Sequence, residues 1–471
     1  MAFPRIVIAA LRGGSGKTIV SLGLIASLRK RGMAIAPFKK GPDFIDAGWL
    51  ALAAGQPCYN LDAFLMPADE IALSFASRTL SNDLAVIEGN RGLYDGIDLE
   101  GSTSTSELAK LLKAPVVLII DCTKSTRTVA AIVSGCVQFD PEVNICGVIL
   151  NRVAGPRHES ILRKSIAHYC ALPVFGAIPK MKAEAFPERH MGLVPTPEHV
   201  LADASIEKAA GMAEEHLDLD RLLSVAREAP SLADAPFRPI RTVPREGKGV
   251  RKNVSPPRIG VIRDAAFQFY YPENLEALEA AGAEVIAVSA LADSELPSLD
   301  GLYIGGGFPE THAEALAENT GFRQAVRRFG EESLPIYAEC GGLMYLGESL
   351  ILDGVTYPMA GLFPVVFGFS RRPEGHGYTV FEVERANPFF KEGTQVRGHE
   401  FHYSSVLSWG GKTEDLCFRM TRGSGFAGRR DGLCYKNTLA TYTHIHALGT
   451  PFWAGAMVEA AASYRRKRLK A

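Results

Sequence analysis

The fold of the first half of the chain is indicated by one glycine-rich stretch, Ala10-Leu11-Arg12-Gly13-Gly14-Ser15-Gly16-Lys17-Thr18. An apolar run, Arg5–Ala10, leads into it, and a helical pattern over residues 19–30 follows at once. Small residues between a strand and a helix let backbone N–H groups close around phosphate oxygens. The stretch therefore predicts a P-loop, with these nucleotide-binding residues: Gly13, Gly14, Ser15, Gly16, Lys17 and Thr18.

One position departs from the usual P-loop pattern. Leu11 stands where the first glycine of G-x-x-x-x-G-K-[ST] belongs. A glycine-rich turn with an incidental Lys-Thr pair is therefore the alternative interpretation.

Short β-branched runs recur outward from this loop, each followed by a helical pattern. Because the runs do not alternate between apolar and polar residues, they predict strands that are buried on both faces. An α/β fold with a parallel sheet flanked by helices is the expectation. The runs are Arg5–Ala10, 34–38, Leu84–Glu88, Val116–Asp121, 146–151 and 174–178.

Charged side chains follow two of these strands. Lys39, Lys40, Asp43 and Asp46 come after the second run, and Glu88 ends the third. Ligands of parallel sheets bind at the carboxyl ends of strands, so these groups are expected to face a metal and anionic oxygens. As alternatives, Asp43 and Asp46 would be turn and helix-cap residues. The candidate Mg²⁺ ligands are Thr18, Asp43, Asp46 and Glu88.

Two further residues are candidates for contact with the nucleotide. Lys40 lies beside the predicted carboxylates, and Asn151 closes a later apolar strand, where it is expected to contact the base. A turn role for Asn151 is the alternative.

The balance of charge limits the classes of partner. The 471 residues include 51 Lys and Arg against 52 Asp and Glu, a net charge of −1. Nucleic acid and anionic membranes are therefore not expected as partners. Eight cysteines lie without CxxC pairs, which argues against disulfides or zinc, and the apolar start is too short for a signal peptide. A cytoplasmic protein is the expectation.

The chain is long enough for two domains. Residues 228–257 break the α/β rhythm with Pro, Arg, Lys and Gly, and they predict a linker. An ATP-dependent domain over 1–227 and a second α/β domain over 258–471 are expected. The second domain has predicted strands at 259–263, Glu284–Val288, Gly301–Ile304 and 334–339, and predicted helices at 274–281 and 313–328.

A candidate nucleophile lies in the second domain. Cys340 falls at a turn between a predicted strand and helix, where the helix N-terminus is expected to lower the thiol pKa. His444 is the preferred general base. Backbone N–H groups of Gly305, Gly306 and Gly307 are expected to form an oxyanion hole. A buried structural cysteine is the alternative for Cys340.

Other histidines are weaker candidates. His446 stands where a carboxylate that orients the base would be expected, so it is an orienting or a second-site residue. His376, His399 and His402 are assigned to domain contact or substrate.

The chain resembles the cobyrinic acid a,c-diamide synthase family over nearly its whole length. That family joins a dethiobiotin-synthetase-like P-loop domain to a flavodoxin-like, class I (triad-type) glutamine amidotransferase domain. The most specific segments are Lys40-Gly41-Pro42-Asp43-Phe44-Ile45-Asp46, Glu88-Gly89-Asn90-Arg91-Gly92-Leu93-Tyr94-Asp95-Gly96, Pro187-Glu188-Arg189-His190-Met191-Gly192-Leu193, Ala266-Phe267-Gln268-Phe269-Tyr270-Tyr271-Pro272-Glu273-Asn274-Leu275 and the region of Cys340.

The resemblance implies a C–N ligase that amidates the a and c acetates of cobyrinic acid, with Mg²⁺ as cofactor and ATP and L-glutamine as co-substrates. It implies a tetrapyrrole substrate, a homodimer, Asp95 in the carboxylate-activating site, and glutamine hydrolysis by Cys340 with His444. Phe44-Ile45 replaces the family's common Tyr-Leu beside the substrate, and Asn90-Arg91 replaces a frequent Val-Met.

These departures keep several alternatives open. Nickel sirohydrochlorin and hydrogenobyrinic acid are alternative substrates, and cobyric acid synthase is a related activity. A ParA-like nucleotide switch is the non-enzymatic alternative, although it leaves Cys340 and His444 without a role.

Overall fold

The computed structural model describes residues 3–180, 202–232 and 255–470, together with the backbone of Glu188–Arg189 and Gly192–Leu193. The chain divides into two compact units, Met1–Ile240 and Arg241–Ala471. Pro187, His190 and Met191 of the family-like segment, and residues 233–254 of the predicted linker, lie outside the described residues.

The first unit contains a seven-stranded parallel sheet and its helices. The strands are β1 Arg5–Ala10, β2 Ile35–Lys40, β3 Tyr59–Leu61, β4 Leu84–Glu88, β5 Val116–Asp121, β6 Ile145–Val153 and β7 Val174–Pro179, and a separate hairpin pairs β8 Glu188–Arg189 with β9 Gly192–Leu193. The helices are α1 Lys17–Lys30, α2 Phe44–Ala54, α3 Ala68–Thr79, α4 Thr105–Leu111, α5 Thr128–Phe139, α6 Pro156–Cys170, α7 Ala202–His216 and α8 Leu219–Arg227.

The order of the strands in this sheet is β3-β2-β4-β1-β5-β6-β7. All six residues of β1 are buried, as expected of a central strand covered on both faces. Helix α1 is also buried along most of its length and packs against α7. This order places the carboxyl ends of β2, β4 and β1 side by side, which brings the predicted phosphate and metal residues to one edge.

The second unit is built on a six-stranded sheet of order β12-β10-β13-β15-β25-β24. Its remaining strands form smaller sheets. The strands are β10 Arg258–Ile262, β11 Phe267–Phe269, β12 Glu284–Val288, β13 Gly301–Ile304, β14 Gly306–Gly307, β15 Ile336–Glu339, β16 Ser349–Leu352, β17 Val355–Pro358, β18 Val365–Phe369, β19 Gly375–Val383, β20 Gln395–His402, β21 Ser404–Trp409, β22 Phe418–Arg422, β23 Arg430–Asp431, β24 Leu433–Tyr435, β25 Thr438–Thr441 and β26 His444–Ile445.

Helices of the second unit cover its main sheet. They are α9 Pro272–Ala280, α10 Ala313–Glu318, α11 Thr320–Glu331, α12 Gly341–Leu346 and α13 Phe452–Arg468, with 3₁₀ turns at Pro309–His312 and Thr413–Asp415. The predicted α/β fold with two units is confirmed. Within the described part of the chain, no helix combines the length and the apolar run needed to cross a membrane.

The single helix predicted over 313–328 is wrong, because the chain forms two helices that meet at Asn319. The Asn319 side chain accepts a hydrogen bond from the Phe322 N–H at 3.4 Å and caps α11. Its amide also donates to the carbonyls of Ala290 and Asp293, each at 2.8 Å. A side chain that satisfies the backbone in this way ends one helix and starts the next.

Both described ends of the predicted linker pack on the unit to which they are attached. Ala229 and Leu232 are buried, and the carbonyl of Pro230 accepts a hydrogen bond from Arg5 at 2.5 Å. At the other end, Arg465 donates to the carbonyls of Ser255 and Pro256.

Candidate active sites

The P-loop connects β1 to α1 through a glycine that the backbone requires. Gly16 has φ of 97°, a left-handed conformation at the N-cap of α1. A Cβ at this position would lie 2.3 Å from the Nδ2 of Asn151. Both the conformation and the close approach therefore exclude a side chain at residue 16.

Two side chains from β6 hold the P-loop in place. Asn151 donates from Nδ2 to the Ser15 carbonyl at 2.8 Å, and Arg152 donates to the Gly14 carbonyl at 2.9 Å. Arg152 also pairs with Asp121 at 2.6 Å. The structure thus gives Asn151 a contact with the loop backbone, whereas the sequence predicted a contact with the base. Asp121 was recognised only as the end of a strand.

Lys17 lies under the loop and is mostly buried. Its Nζ donates to the Arg91 carbonyl at 2.8 Å and to the Arg12 carbonyl at 3.1 Å. Burial, assisted by the neighbouring Lys39 ammonium, lowers the pKa of Lys17 to about 8. An anionic ligand beside Lys17 would therefore stabilise the charged form of the lysine and raise its pKa again.

A buried ion network lies beside Lys17, and Lys39 is its centre. The Nζ of Lys39 is 2.6 Å from Asp46 Oδ2 and 2.6 Å from Glu88 Oε1. The register of β2 and β4 places Lys39 directly opposite Glu88. Burial acts against the charge of Lys39, but the two carboxylates raise its pKa well above the ordinary value. Lys39 was expected to face ligand oxygens, and instead it binds protein carboxylates.

The pKa values of the two carboxylates in this network are shifted in opposite directions. Burial raises the pKa of Glu88, against the opposing effect of Lys39. Burial acts on Asp46 in the same direction, but the Lys39 ammonium holds the pKa of Asp46 below its ordinary value. Without Lys39, Glu88 would be expected to bind a proton, because an unpaired charge in a buried site costs more free energy than a neutral carboxyl group.

Asp43 is the N-cap of α2, as the alternative interpretation had it. Its Oδ1 accepts from the N–H groups of Ile45 at 2.8 Å and Asp46 at 3.0 Å. Burial, and then the charge of Asp46, raises the pKa of Asp43 to about 7. A cap that already satisfies two backbone donors is less available to a metal ion.

The other oxygen ligands suit Mg²⁺ better. Thr18 donates from Oγ1 to Glu88 Oε1 at 3.0 Å, while Glu88 Oε2 is buried and has no hydrogen-bond partner among the described residues. Across the three described ranges, no cluster of three or more His, Cys, Asp or Glu side chains is arranged to hold a metal. Mg²⁺ commonly takes only one or two carboxylates and completes its shell with water and phosphate oxygens. A hydroxyl and one unpartnered carboxylate oxygen fit that requirement.

The residues assigned to the substrate lie near the same edge. Asp95 is exposed, and its Oδ2 accepts from the Gly92 N–H at 2.8 Å. Lys40 is buried on β2, and burial lowers its pKa, with Asp62 opposing. Phe44 and Ile45 begin α2 and are half-buried.

Cys340 lies at a strained turn between β15 and α12. Its φ of 48° and ψ of −100° are unusual for a residue with a side chain, and such strain is typical of a nucleophile turn. The Cys340 N–H donates to the Thr441 carbonyl at 2.8 Å. The thiol contacts the Phe401 carbonyl at 3.7 Å.

The expected lowering of the thiol pKa is wrong. Burial of Cys340, together with the charge of Glu310, raises the pKa of its thiol above the ordinary value. Helix α12 has six residues, and its dipole does not outweigh the loss of water around the sulfur. The thiol therefore needs a base to remove its proton.

His444 reaches the same region from β26. This strand pairs with β20, where His399 stacks on the His444 ring with centroids 4.8 Å apart. A Cβ on Gly306 would lie 2.3 Å from His444 Cε1, and one on Gly341 would lie 3.0 Å from the Gly307 nitrogen. The glycine turn thus contacts both the imidazole and the residue after Cys340.

Gly305 is not a free oxyanion donor, which corrects the prediction. Its N–H donates to the Tyr270 hydroxyl at 2.7 Å. Gly306 and Gly307 form β14 and pair with Phe269 and Phe267 of β11. The sequence showed small residues at this turn but not the aromatic segment that binds them.

The sequence did not identify Glu339 as a functional residue, although it directly precedes Cys340. Its Oε2 is 3.6 Å from His444 Nδ1. His446 lies 3.6 Å from a different carboxylate, that of Glu273. His399 and His402 are buried within the second unit, beside His444 and Tyr442 respectively.

Comparison with known proteins identifies the family. Residues 6–194 match the CobQ/CobB/MinD/ParA nucleotide binding domain, and residues 258–452 match the CobB/CobQ-like glutamine amidotransferase domain. A cobyrinate a,c-diamide synthase of Magnetococcus marinus is 45% identical and aligns over 96% of this chain and 96% of its own length. This chain belongs to the cobyrinate a,c-diamide synthase family. The family resemblance predicted from the sequence is confirmed.

Other members of the cobyrinate a,c-diamide synthase family align over similar lengths. The protein of Archaeoglobus fulgidus is 41% identical over 95% of each chain. That of Listeria innocua is 40% identical over 95% of this chain and 97% of its own length. Because these alignments span both units, the family assignment applies to the whole two-unit chain.

Proposed function

We propose that this chain is an ATP-dependent, glutamine-hydrolysing ligase that amidates the a- and c-acetate carboxylates of cobyrinic acid. The observation that carries the proposal is the presence, in one chain, of a P-loop beside buried carboxylates and of a strained cysteine turn beside a histidine. The relatives that align over nearly the whole chain are cobyrinate a,c-diamide synthases, and their name supplies the substrate and the product. We assign residues 1–227 to the ligase domain and 258–471 to the amidotransferase domain.

The ligase site activates a carboxylate, which is a poor electrophile because it carries a full negative charge. An acetate oxygen attacks the γ-phosphorus of ATP, the bond to the β-phosphate bridging oxygen breaks, and ADP leaves. Lys17 and the P-loop N–H groups offset negative charge on the phosphates. Thr18 and Glu88 would hold Mg²⁺, which supplies further charge neutralisation when bound. Ammonia then attacks the acyl phosphate, and phosphate is the leaving group.

The amidotransferase site supplies the ammonia. His444 removes the thiol proton from Cys340, and the sulfur attacks the side-chain amide carbon of glutamine. His444 then returns the proton to the departing nitrogen, so that ammonia leaves and a thioester remains. Water hydrolyses the thioester to glutamate and frees the thiol. Neutral ammonia is required because ammonium has no lone pair with which to attack.

Substrate contacts belong to residues at the carboxyl edge of the first sheet. Phe44 and Ile45 would line the macrocycle site, Lys40 and Asn151 would assist the nucleotide side, and Asp95 would lie at the reacting carboxylate. Arg91 adds an exposed cation near the carboxylates of the substrate. The family resemblance also supports a homodimer, which size-exclusion chromatography with light scattering tests.

A substrate panel tests the proposal. The protein is incubated with ATP, Mg²⁺ and glutamine, and with cobyrinic acid, hydrogenobyrinic acid or nickel sirohydrochlorin, and the products are identified by mass spectrometry. Cobyrinic acid is expected to give the diamide, with one ADP and one glutamate formed per amide. No amide from cobyrinic acid, while another macrocycle is amidated, would reassign the substrate. No amide from any of the three would refute the ligase assignment.

A further inference from the structure

Glu339 is a buried carboxylate fixed by three donors. Its Oε1 accepts from the Tyr337 hydroxyl and the Ile445 N–H, each at 3.1 Å. Its Oε2 accepts from the Tyr303 hydroxyl at 3.0 Å. The residue is 1% exposed. A buried carboxylate held by three hydrogen bonds has one orientation and can impose that orientation on a neighbour.

The neighbour is the imidazole of His444. Its Nδ1 is 3.6 Å from Glu339 Oε2, within ion-pair distance. The Ile445 N–H that binds Glu339 is on the residue after His444, so the carboxylate is tied to the same strand as the base. Residue 339 also precedes the nucleophile directly. The carboxylate is therefore attached to both partners of the proposed proton transfer.

We propose that Glu339 is the positioning residue of a Cys340–His444–Glu339 triad; this inference rests on the proposed glutaminase function. Glu339 holds the Nδ1 proton of His444, which leaves Nε2 to exchange a proton with the thiol and the departing nitrogen. The 3.6 Å distance between Glu339 and His444 suits this role, because hydrogen bonds between catalytic groups are often long in the free enzyme and shorten in the reacting complex. The positive charge of the imidazolium would draw the carboxylate closer.

His446 is excluded from this role by its own contacts. Its Nε2 faces Glu273 at 3.6 Å, its Nδ1 accepts from the Leu448 N–H at 3.2 Å, and its ring packs on Tyr271. Glu273 belongs to the first turn of α9. The pair Glu273–His446 thus matches the pair Glu339–His444 in burial and distance, but its carboxylate belongs to α9 and not to the residue that precedes Cys340. It provides a control for the loss of a buried carboxylate.

The experiment compares Glu339→Gln with Glu273→Gln in the full-length protein. Glutaminase kcat and the KM for glutamine are measured, together with ammonium-driven synthesis and the unfolding midpoint. Glu339→Gln is expected to lower glutaminase kcat about 100-fold, with the KM for glutamine within about threefold of the original value, because general acid–base catalysis contributes about 10²–10⁴-fold. Ammonium-driven synthesis should persist. Glu273→Gln should retain kcat within about fivefold, since Glu273 contacts His446 and not the proposed base His444.

Glu339→Asp keeps the negative charge, but its shorter side chain places the carboxylate farther from His444. This variant tests the triad if Glu339→Gln does not fold. Its kcat should lie between that of the original protein and that of Glu339→Gln. Three results would each overturn the triad. The kcat of Glu339→Asp could equal the original value, or the kcat of Glu339→Gln could stay within about threefold of it. The third such result is a loss of kcat in Glu273→Gln equal to the loss in Glu339→Gln. If the unaltered protein lacks glutaminase activity, the proposed function fails instead.

Discussion

Replacing Lys39 by methionine would leave two carboxylates in a buried site without their cation. Lys39 and Glu88 have side-chain exposures of 1% and 0%, whereas Asp46 has 18%. Removing one partner of a buried pair costs about 3–5 kcal/mol. Water can reach Asp46 and replace part of its lost interaction, so the lower end of that range, about 3 kcal/mol, is expected.

The pH dependence of this loss has a defined sign. Burial already raises the pKa of Glu88 and Lys39 opposes that rise, so removing Lys39 raises the Glu88 pKa further. A carboxyl group whose pKa is higher in the folded state loses stability as pH rises between its unfolded and folded pKa values. Lys39→Met should therefore cost more stability at higher pH, over the range in which Glu88 of the folded variant loses its proton.

Hydrogen exchange measured by mass spectrometry suits this test, because a two-unit chain need not unfold in one step. Peptides that cover β1 and β4 should exchange about 100-fold faster in Lys39→Met, since 1.4 kcal/mol is about tenfold. Lys30→Met removes an exposed ion pair with Glu207 and should change exchange less than about fivefold. Glu88→Gln added to Lys39→Met should restore part of the protection. A change below tenfold, or no restoration, would refute the account of the network.

Two further predictions concern the phosphate site. Because burial lowers the pKa of Lys17 to about 8, its cation is lost as pH rises through that value, and ADP affinity measured by calorimetry should fall by up to about tenfold per unit between pH 8 and 9.5. Lys17→Met should bind ADP weakly at every pH, and a flat profile in the unaltered protein would contradict the charge assignment. Glu88→Gln should remove ATP-dependent product with either glutamine or ammonium chloride while glutaminase activity persists, and retained synthesis would exclude Glu88 from the metal site.

Local sequence was sufficient to predict the strand, loop and helix around the P-loop and the strand that ends at Glu88. The P-loop is a contiguous motif between a strand and a helix, and Glu88 directly ends an apolar run. The partner of Lys39 depends on β2 lying beside β4, which is a non-local pairing that the run of residues 34–40 does not encode by itself. For this reason the sequence assigned Lys39 to a ligand.

The residues proposed for the amidotransferase site stand out in the sequence, but their surroundings do not. Cys340 and His444 stand in recognisable segments, whereas the burial that raises the thiol pKa involves residues distant along the chain, such as Phe401, whose carbonyl contacts the thiol. The contact of Glu339 with His444 likewise joins residues more than a hundred positions apart. The Gly305 N–H donates to the hydroxyl of Tyr270, which belongs to an earlier segment of the chain. The strands β16–β24, most of which pair antiparallel, were not predicted, because they lie in short, mixed-polarity runs without α-helices between them.

The Cys340→Ala variant tests whether amide formation and ammonia release belong to separate sites. Its amide synthesis is measured first with glutamine and then with a high concentration of ammonium chloride. We predict that amide formation from glutamine is lost and that amide formation from ammonium chloride continues at the rate of the unaltered protein. Equal loss with both nitrogen sources, in a variant that unfolds at the original midpoint, would contradict it.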